Sequence, residues 1–142
     1  MLDRARTRFT RHGIQNAQFF AGASKLRSLR GKFDLVLVDA PCGGSGTLRR
    51  SPESKLDHSP SFLTEVALTQ REVLEKAAPF LAPEGVLAYI TCSVLPEENH
   101  EKVKEFLRNH PHFELVHRET LMPQSGGNDG FFFAVLQHKQ SS

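Results

Sequence analysis

The run FDLVLVD at residues 33–39 constrains this chain more than any other feature. A strand with one face in water alternates apolar and polar residues. Here Leu35, Val36, Leu37 and Val38 follow one another without a break and are closed by Asp39. That pattern predicts a strand over 34–39 buried on both faces, as inside a parallel sheet. A second run, GVLAYIT at 85–91, has the same character. Between them Phe62, Val66, Leu74, Ala77, Ala78 and Leu81 recur at a helical period. Ser61 is placed to cap that helix, and Pro83 and Gly85 to stop it. Strand, helix and strand in this order predict an α/β fold with a mostly parallel sheet.

The remaining elements fit that class. Leu2 to His12 reads as a helix carrying Arg4, Arg6, Arg8 and Arg11 and ending at Gly13. Residues 17–20 (AQFF) make a short strand candidate. Pro96-Glu97-Glu98 opens a helix that carries Val103, Phe106 and Leu107 inward and ends before Pro111, with its acids at the positive end of the dipole. Residues 113–117 (FELVH) and 131–137 (FFFAVLQ) read as two further strands.

Composition narrows the class of function. The 142 residues, 39% hydrophobic and 24% charged, suit one folded domain. No apolar run approaches the roughly 18 residues of a membrane span, and no secretory signal is expected behind MLDRARTRF. Two cysteines are too few for a disulfide scaffold and point to a reducing, cytoplasmic setting. Net charge is +2, but residues 1–32 carry eight Lys or Arg against one acid. Such a block suits nucleic-acid phosphates, and it also suits a solvated helix face.

In parallel sheets ligands bind beyond the carboxyl ends of the strands. Two strands end in Asp39-Ala40-Pro41-Cys42 and Thr91-Cys92-Ser93, so both cysteines are expected at that edge. Taken singly, each cysteine is a small buried hydrophobe. Occurring together beside the long loop APCGGSGTLRRSPESKLDHSPS, they are candidate reactive thiols, because loops of that length in compact domains are usually functional. A phosphate cradle is a weaker reading of Cys-Gly-Gly-Ser-Gly, which lacks the Walker lysine. The histidines show no metal-ligand spacing, and no metal is expected. A CxxC redox site is likewise missing.

Three segments, FDLVLVDAPCGGSGTLRRSPESK (33–55), LAPEGVLAYITCSVLPEENHEKV (81–103) and NDGFFFAVL (128–136), together resemble the RNA cytosine-C5 methyltransferases of the NOL1/NOP2/Sun (RsmB-like) family. LDRARTRFTRHGIQN (2–16) resembles the helix after that family's second strand. The resemblance implies a Rossmann-like fold that uses S-adenosylmethionine on an RNA substrate, rRNA or tRNA. It implies that Cys92 attacks C6 of the target cytosine and Cys42 assists release of the methylated RNA. A thiolate is reactive near neutral pH and later leaves by elimination, so sulfur suits both steps. Asp39 is implied between cofactor and base, as a cofactor contact and a stabiliser of charge on the ring. Arg49, Arg50 and Lys55 are candidate RNA-phosphate ligands.

The chain departs from the family's pattern at the cofactor side. The glycine-rich loop after the first strand and the ribose-binding acid after the second are not among its residues, and Ala21-Gly22-Ala23 stands where an acid meets the adenine. Leu56 replaces a usual tryptophan, and Gly43 a usual serine. The expectation is therefore one partial methyltransferase domain over residues 1–142, lacking the first two strands, with the 34–39 strand at an open edge. Such an edge invites self-association or complementation by another chain. A non-catalytic RNA-binding remnant of the same ancestry is the alternative reading.

Overall fold

Phe33–Asp39 forms strand β1 and Leu81–Thr91 forms β2, and the two pair in parallel from Leu35 opposite Val86 to Asp39 opposite Ile90. The structure, a computed structural model, describes residues 2–50, 52 and 59–140. β3 (Phe113–Leu121) and β4 (Phe131–His138) complete a four-stranded sheet in the order β1-β2-β4-β3. The parallel pairing expected from sequence holds for β1 and β2. β4 returns antiparallel to both β2 and β3, so the sheet is mixed.

The core lies on one face of the sheet. Val38, Leu87, Tyr89, Phe132, Ala134 and Leu136 line that face and meet Leu74 and Ala78 from helix α2 (Pro60–Ala77, continued by a 3-10 turn at Ala78–Phe80). Val103 and Phe106 join them from helix α3 (His100–Asn109). The opposite face of β1 stays open: Leu35 is 58% exposed and Leu37 59%. The expectation of burial on both faces of 34–39 is therefore corrected. Nothing among the described residues packs over that side of β1, although its sequence is that of an interior strand.

Local chemistry moves several boundaries. α2 is capped by Ser59, whose Oγ accepts from Phe62 N at 3.2 Å, rather than by Ser61. Pro60 then occupies the first turn, where its missing N–H costs nothing. β2 starts at Leu81 and absorbs Pro83 through an irregularity opposite Phe33 and Leu35. Gly85 lies there, where a Cβ would come within 2.8 Å of the Phe33 carbonyl oxygen, so only glycine fits. Residues 17–20 form no strand, since an isolated run has no ladder to join. Helix α1 (Leu2–Arg11) buries no residue, and its Phe9 meets Phe19 edge to face at 5.1 Å. No described helix is long and apolar enough to cross a membrane.

Candidate active site

Parallel pairing of β1 with β2 fixes which ends of the strands lie together. β1 ends at Asp39, β2 at Thr91, and the chain turns out of each strand into a cysteine. The two sulfurs meet: Cys42 Sγ and Cys92 Sγ lie 3.0 Å apart as free, half-buried thiols sharing a hydrogen bond. Burial pushes the Cys42 thiol up to about 12, and its hydrogen bond to Cys92 and that neighbour's charge push the same way. Cys42 is thus a neutral thiol at physiological pH, available as a donor to the second sulfur.

The pair is held by residues C-terminal to β2. Pro96–Glu98 forms a 3-10 turn that drops Glu98 into the interior, where it is only 2% exposed. Its carboxylate Oε2 accepts from Gly43 N at 2.7 Å and from Gln70 Nε2 at 3.0 Å, while Oε1 accepts from Ser93 Oγ at 2.8 Å. One carboxylate therefore ties the residue after Cys42 to the residue after Cys92. Tyr89 Oη donates to the Glu98 carbonyl oxygen at 2.7 Å, and burial, with Glu98 and Cys42 nearby, raises the Tyr89 pKa. Asn99 accepts from Thr91 Oγ1 at 2.6 Å and donates to the Ser93 carbonyl at 2.9 Å. Ser45 bonds Ser93 Oγ at 2.9 Å and accepts from Val94 N at 2.9 Å, closing the network from the glycine-rich loop.

That loop is itself locked. Gly46 N donates to the Cys92 carbonyl at 3.0 Å, and Gly130 N donates to the Gly46 carbonyl at 2.8 Å. A Cβ on Gly46 would sit 2.6 Å from the Gly130 carbonyl carbon. Two backbones approach where neither admits a side chain.

The other sequence-predicted residues divide. Asp39 is exposed at the end of β1, on the open face shared with Leu35 and Leu37. Arg49 and Arg50 are drawn to the buried carboxylate of Asp129: Arg50 pairs with it directly and Arg49 lies 3.7 Å from it. Arg49 also donates to the Gly127 carbonyl at 3.0 Å. Both arginines thus pin the loop before β4. Lys55 lies outside the described residues. Among the described residues no group of three or more His, Cys, Asp or Glu is arranged to hold a metal ion.

The sequence profile of the family described as 16S rRNA methyltransferase RsmB/F matches residues 2–137. The chain belongs to that family. The membership bears out the resemblance carried by the two cysteine motifs. Ribosomal RNA small subunit methyltransferase B of Erwinia tasmaniensis is 40% identical over 112 residues, covering 74% of this chain and 26% of that protein. The crystal structure of PH0851 superposes with a TM-score of 0.88 at 31% identity, over 96% of this chain and 34% of that one. A methyltransferase homolog from Pyrococcus horikoshii gives 0.78 at 26% identity, over 97% of this chain and 50% of that one. This RsmB/F chain thus spans about a quarter of the length of the curated relatives it matches.

Sequence reasoning missed three residues of the site. Glu98 reads as a helix-opening acid, Asp129 enters only within the segment NDGFFFAVL, and Gln70 is not among the apolar positions that mark α2. Gln70 alone leaves a signal: it fills the vacant place in the buried series Val66, Leu74, Ala78.

Proposed function

We propose that this RsmB/F chain carries the base-attacking half of an S-adenosylmethionine-dependent RNA cytosine-C5 methyltransferase, with rRNA as the substrate class. The observation that carries the reading is the pair of sulfurs 3.0 Å apart, with burial raising the pKa of the Cys42 thiol. Addition of the Cys92 thiolate to C6 of the target cytosine makes a C6–S bond and raises electron density at C5, the carbon to be methylated. In the later step solvent water takes the C5 proton, its electron pair re-forms the C5–C6 double bond, and the C6–S bond breaks to return the Cys92 thiolate. Cys42, still protonated 3.0 Å away, donates its S–H to that departing sulfur. Two free thiols working in this way suit a reducing cytoplasm.

The residues present fit the methyl donor at one end only. Asp39, an exposed carboxylate at the carboxyl end of β1, would hold its cationic end and the polar edge of the base. S-adenosylmethionine supplies an electrophilic methyl group when bound. Arg49 and Arg50, whose side chains stay 54% and 71% exposed beside Asp129, keep donors for RNA phosphates.

The test is a chimera in which this chain replaces the matching 112 residues of the Erwinia tasmaniensis relative. Cys92→Ala is expected to abolish methylation and covalent capture of RNA. Cys42→Ala is expected to accumulate a denaturation-resistant protein–RNA adduct, because attack proceeds and release is blocked. An adduct formed through Cys42 in the Cys92→Ala protein overturns the assignment. RNA binding with neither adduct nor methylation in the parent chimera favours the non-catalytic remnant instead.

A further inference from the structure

Gln70 is wholly inaccessible to solvent and sits in the middle of α2, between Val66 and Leu74 on its buried stripe. Its Nε2 donates to the Pro41 carbonyl and to Glu98 Oε2, each at 3.0 Å. That same Oε2 accepts from Gly43 N at 2.7 Å. Cys42 is therefore gripped through the residue before it and the residue after it, while the other oxygen of Glu98 turns to Ser93, beside Cys92.

We propose that Gln70, acting with Glu98, is a positioning residue for Cys42: it holds the release thiol against Cys92. The role in release rests on the reading of Cys42 given above. The side-chain type is what this task demands. Two acceptors, a carbonyl and a carboxylate, must be served by one neutral group with two hydrogens, and a primary amide has them. The opposite amide orientation would set oxygen against both acceptors, so the orientation is fixed by the network. The consequence is visible, for Gln70 Oε1 is buried without a hydrogen-bond partner among the described residues. A leucine here would continue the apolar stripe of α2 and bring no unpaired oxygen of its own, but it would take the donor from the Pro41 carbonyl. Packing alone therefore does not account for Gln70.

Alkylation of the intact 142-residue chain by iodoacetamide, read at each cysteine by peptide mass spectrometry from neutral to alkaline pH, tests the clamp without RNA. Cys42 should lag Cys92 in the unmodified chain. Gln70→Met should free the Cys42 turn and speed its alkylation about tenfold, the equivalent of one charge-assisted hydrogen bond, with Cys92 unchanged. Val66→Ala, one turn earlier on the same buried stripe, should leave Cys42 lagging. An unchanged Cys42 in Gln70→Met, or equal acceleration of both cysteines, overturns the proposal. If Gln70→Met does not fold, deuterium exchange of the Gln70 side-chain amide in the unmodified chain decides. Exchange far slower than at exposed Gln15 supports the clamp, and exchange at the Gln15 rate overturns it. In the chimera, Gln70→Met should accumulate the covalent adduct as Cys42→Ala does. If the alkylation signature is present and neither variant accumulates adduct, Cys42 is not the release thiol and the clamp itself stands.

Discussion

Two neighbouring acids of one turn show how far burial separates residues of the same type. Glu97 is exposed, whereas Glu98 is almost wholly buried and accepts from three donors, Gly43 N, Gln70 Nε2 and Ser93 Oγ. In Glu98→Ala, Gln70 Nε2 keeps the Pro41 carbonyl and Ser93 Oγ keeps Ser45, whereas Gly43 N loses its acceptor, and a buried orphan costs about 1–3 kcal/mol. We therefore expect it to lower unfolding stability by about 1–3 kcal/mol in a urea titration. Glu97→Ala should stay within about 0.5 kcal/mol of the parent. His138 gives a second expectation at this scale. It stacks on His112 with centroids 5.6 Å apart and leans on Phe113 at 4.3 Å. Burial, and then the nearby His112, hold its pKa below the ordinary histidine value of 6.5. Between its folded and unfolded pKa values the unfolded chain binds more proton, so stability rises with pH there. The His138 contribution is complete above the unfolded value and is lost as pH falls through the folded one. His138→Gln should flatten that slope in urea midpoints measured from mildly acid to neutral pH. An unaltered slope would assign it to another group.

At the scale of elements, the loop after β1 and the loop before β4 work as one unit. Gly46 donates to the Cys92 carbonyl and accepts from Gly130, and the two glycine backbones touch. A methyl group on Gly46 meets backbone rather than a yielding side chain. Gly46→Ala should therefore cost on the order of 1–3 kcal/mol. It should also part Ser45 from Ser93, which thermal melts together with faster alkylation of Cys92 would reveal. The sequence makes much of this element arrangement legible. Apolar runs of strand length mark β1 and β2, and the cysteines at their ends follow from parallel pairing. Pro60 moves the cap of α2 to Ser59, because a proline in the first turn outweighs a second serine one place on. What stayed hidden is tertiary. Nothing local distinguishes Glu98 from Glu97, or shows that Asp129 waits for Arg50 across nearly eighty residues of chain. The loops that meet at Gly46 and Gly130 are likewise brought together only by the return of β4 beside β2.

For the whole molecule, the uneven covering of the sheet decides what the chain does alone. α2 and α3 cover the core face, whereas Leu35, Leu37 and Asp39 share the other face of β1, the edge strand in the sheet order. An apolar hollow of about 380 Å³ lined by Phe33, Leu35, Val36, Val73 and Phe80 continues from that edge. The family's contacts to S-adenosylmethionine comprise amides of a glycine-rich loop, an acid on the ribose, polar groups at the adenine and an acid near the methyl group. In the proposed reading Asp39 serves as the last of these, and Gly22, exposed at φ 92°, falls where the resemblance implies an acid. A lost hydrogen bond to a charged group costs about 1.5–3 kcal/mol. Two independent losses weaken binding by roughly two to four powers of ten. In the proposed reading Asp39 meets only the reactive end of the cofactor and does not offset them. The expected outcome for the 142-residue chain by itself is binding too weak to measure at micromolar concentration, and no methyl transfer to RNA. Calorimetry decides it: a micromolar dissociation constant for S-adenosylmethionine on this chain would show that the cysteine end of the sheet holds the cofactor unaided.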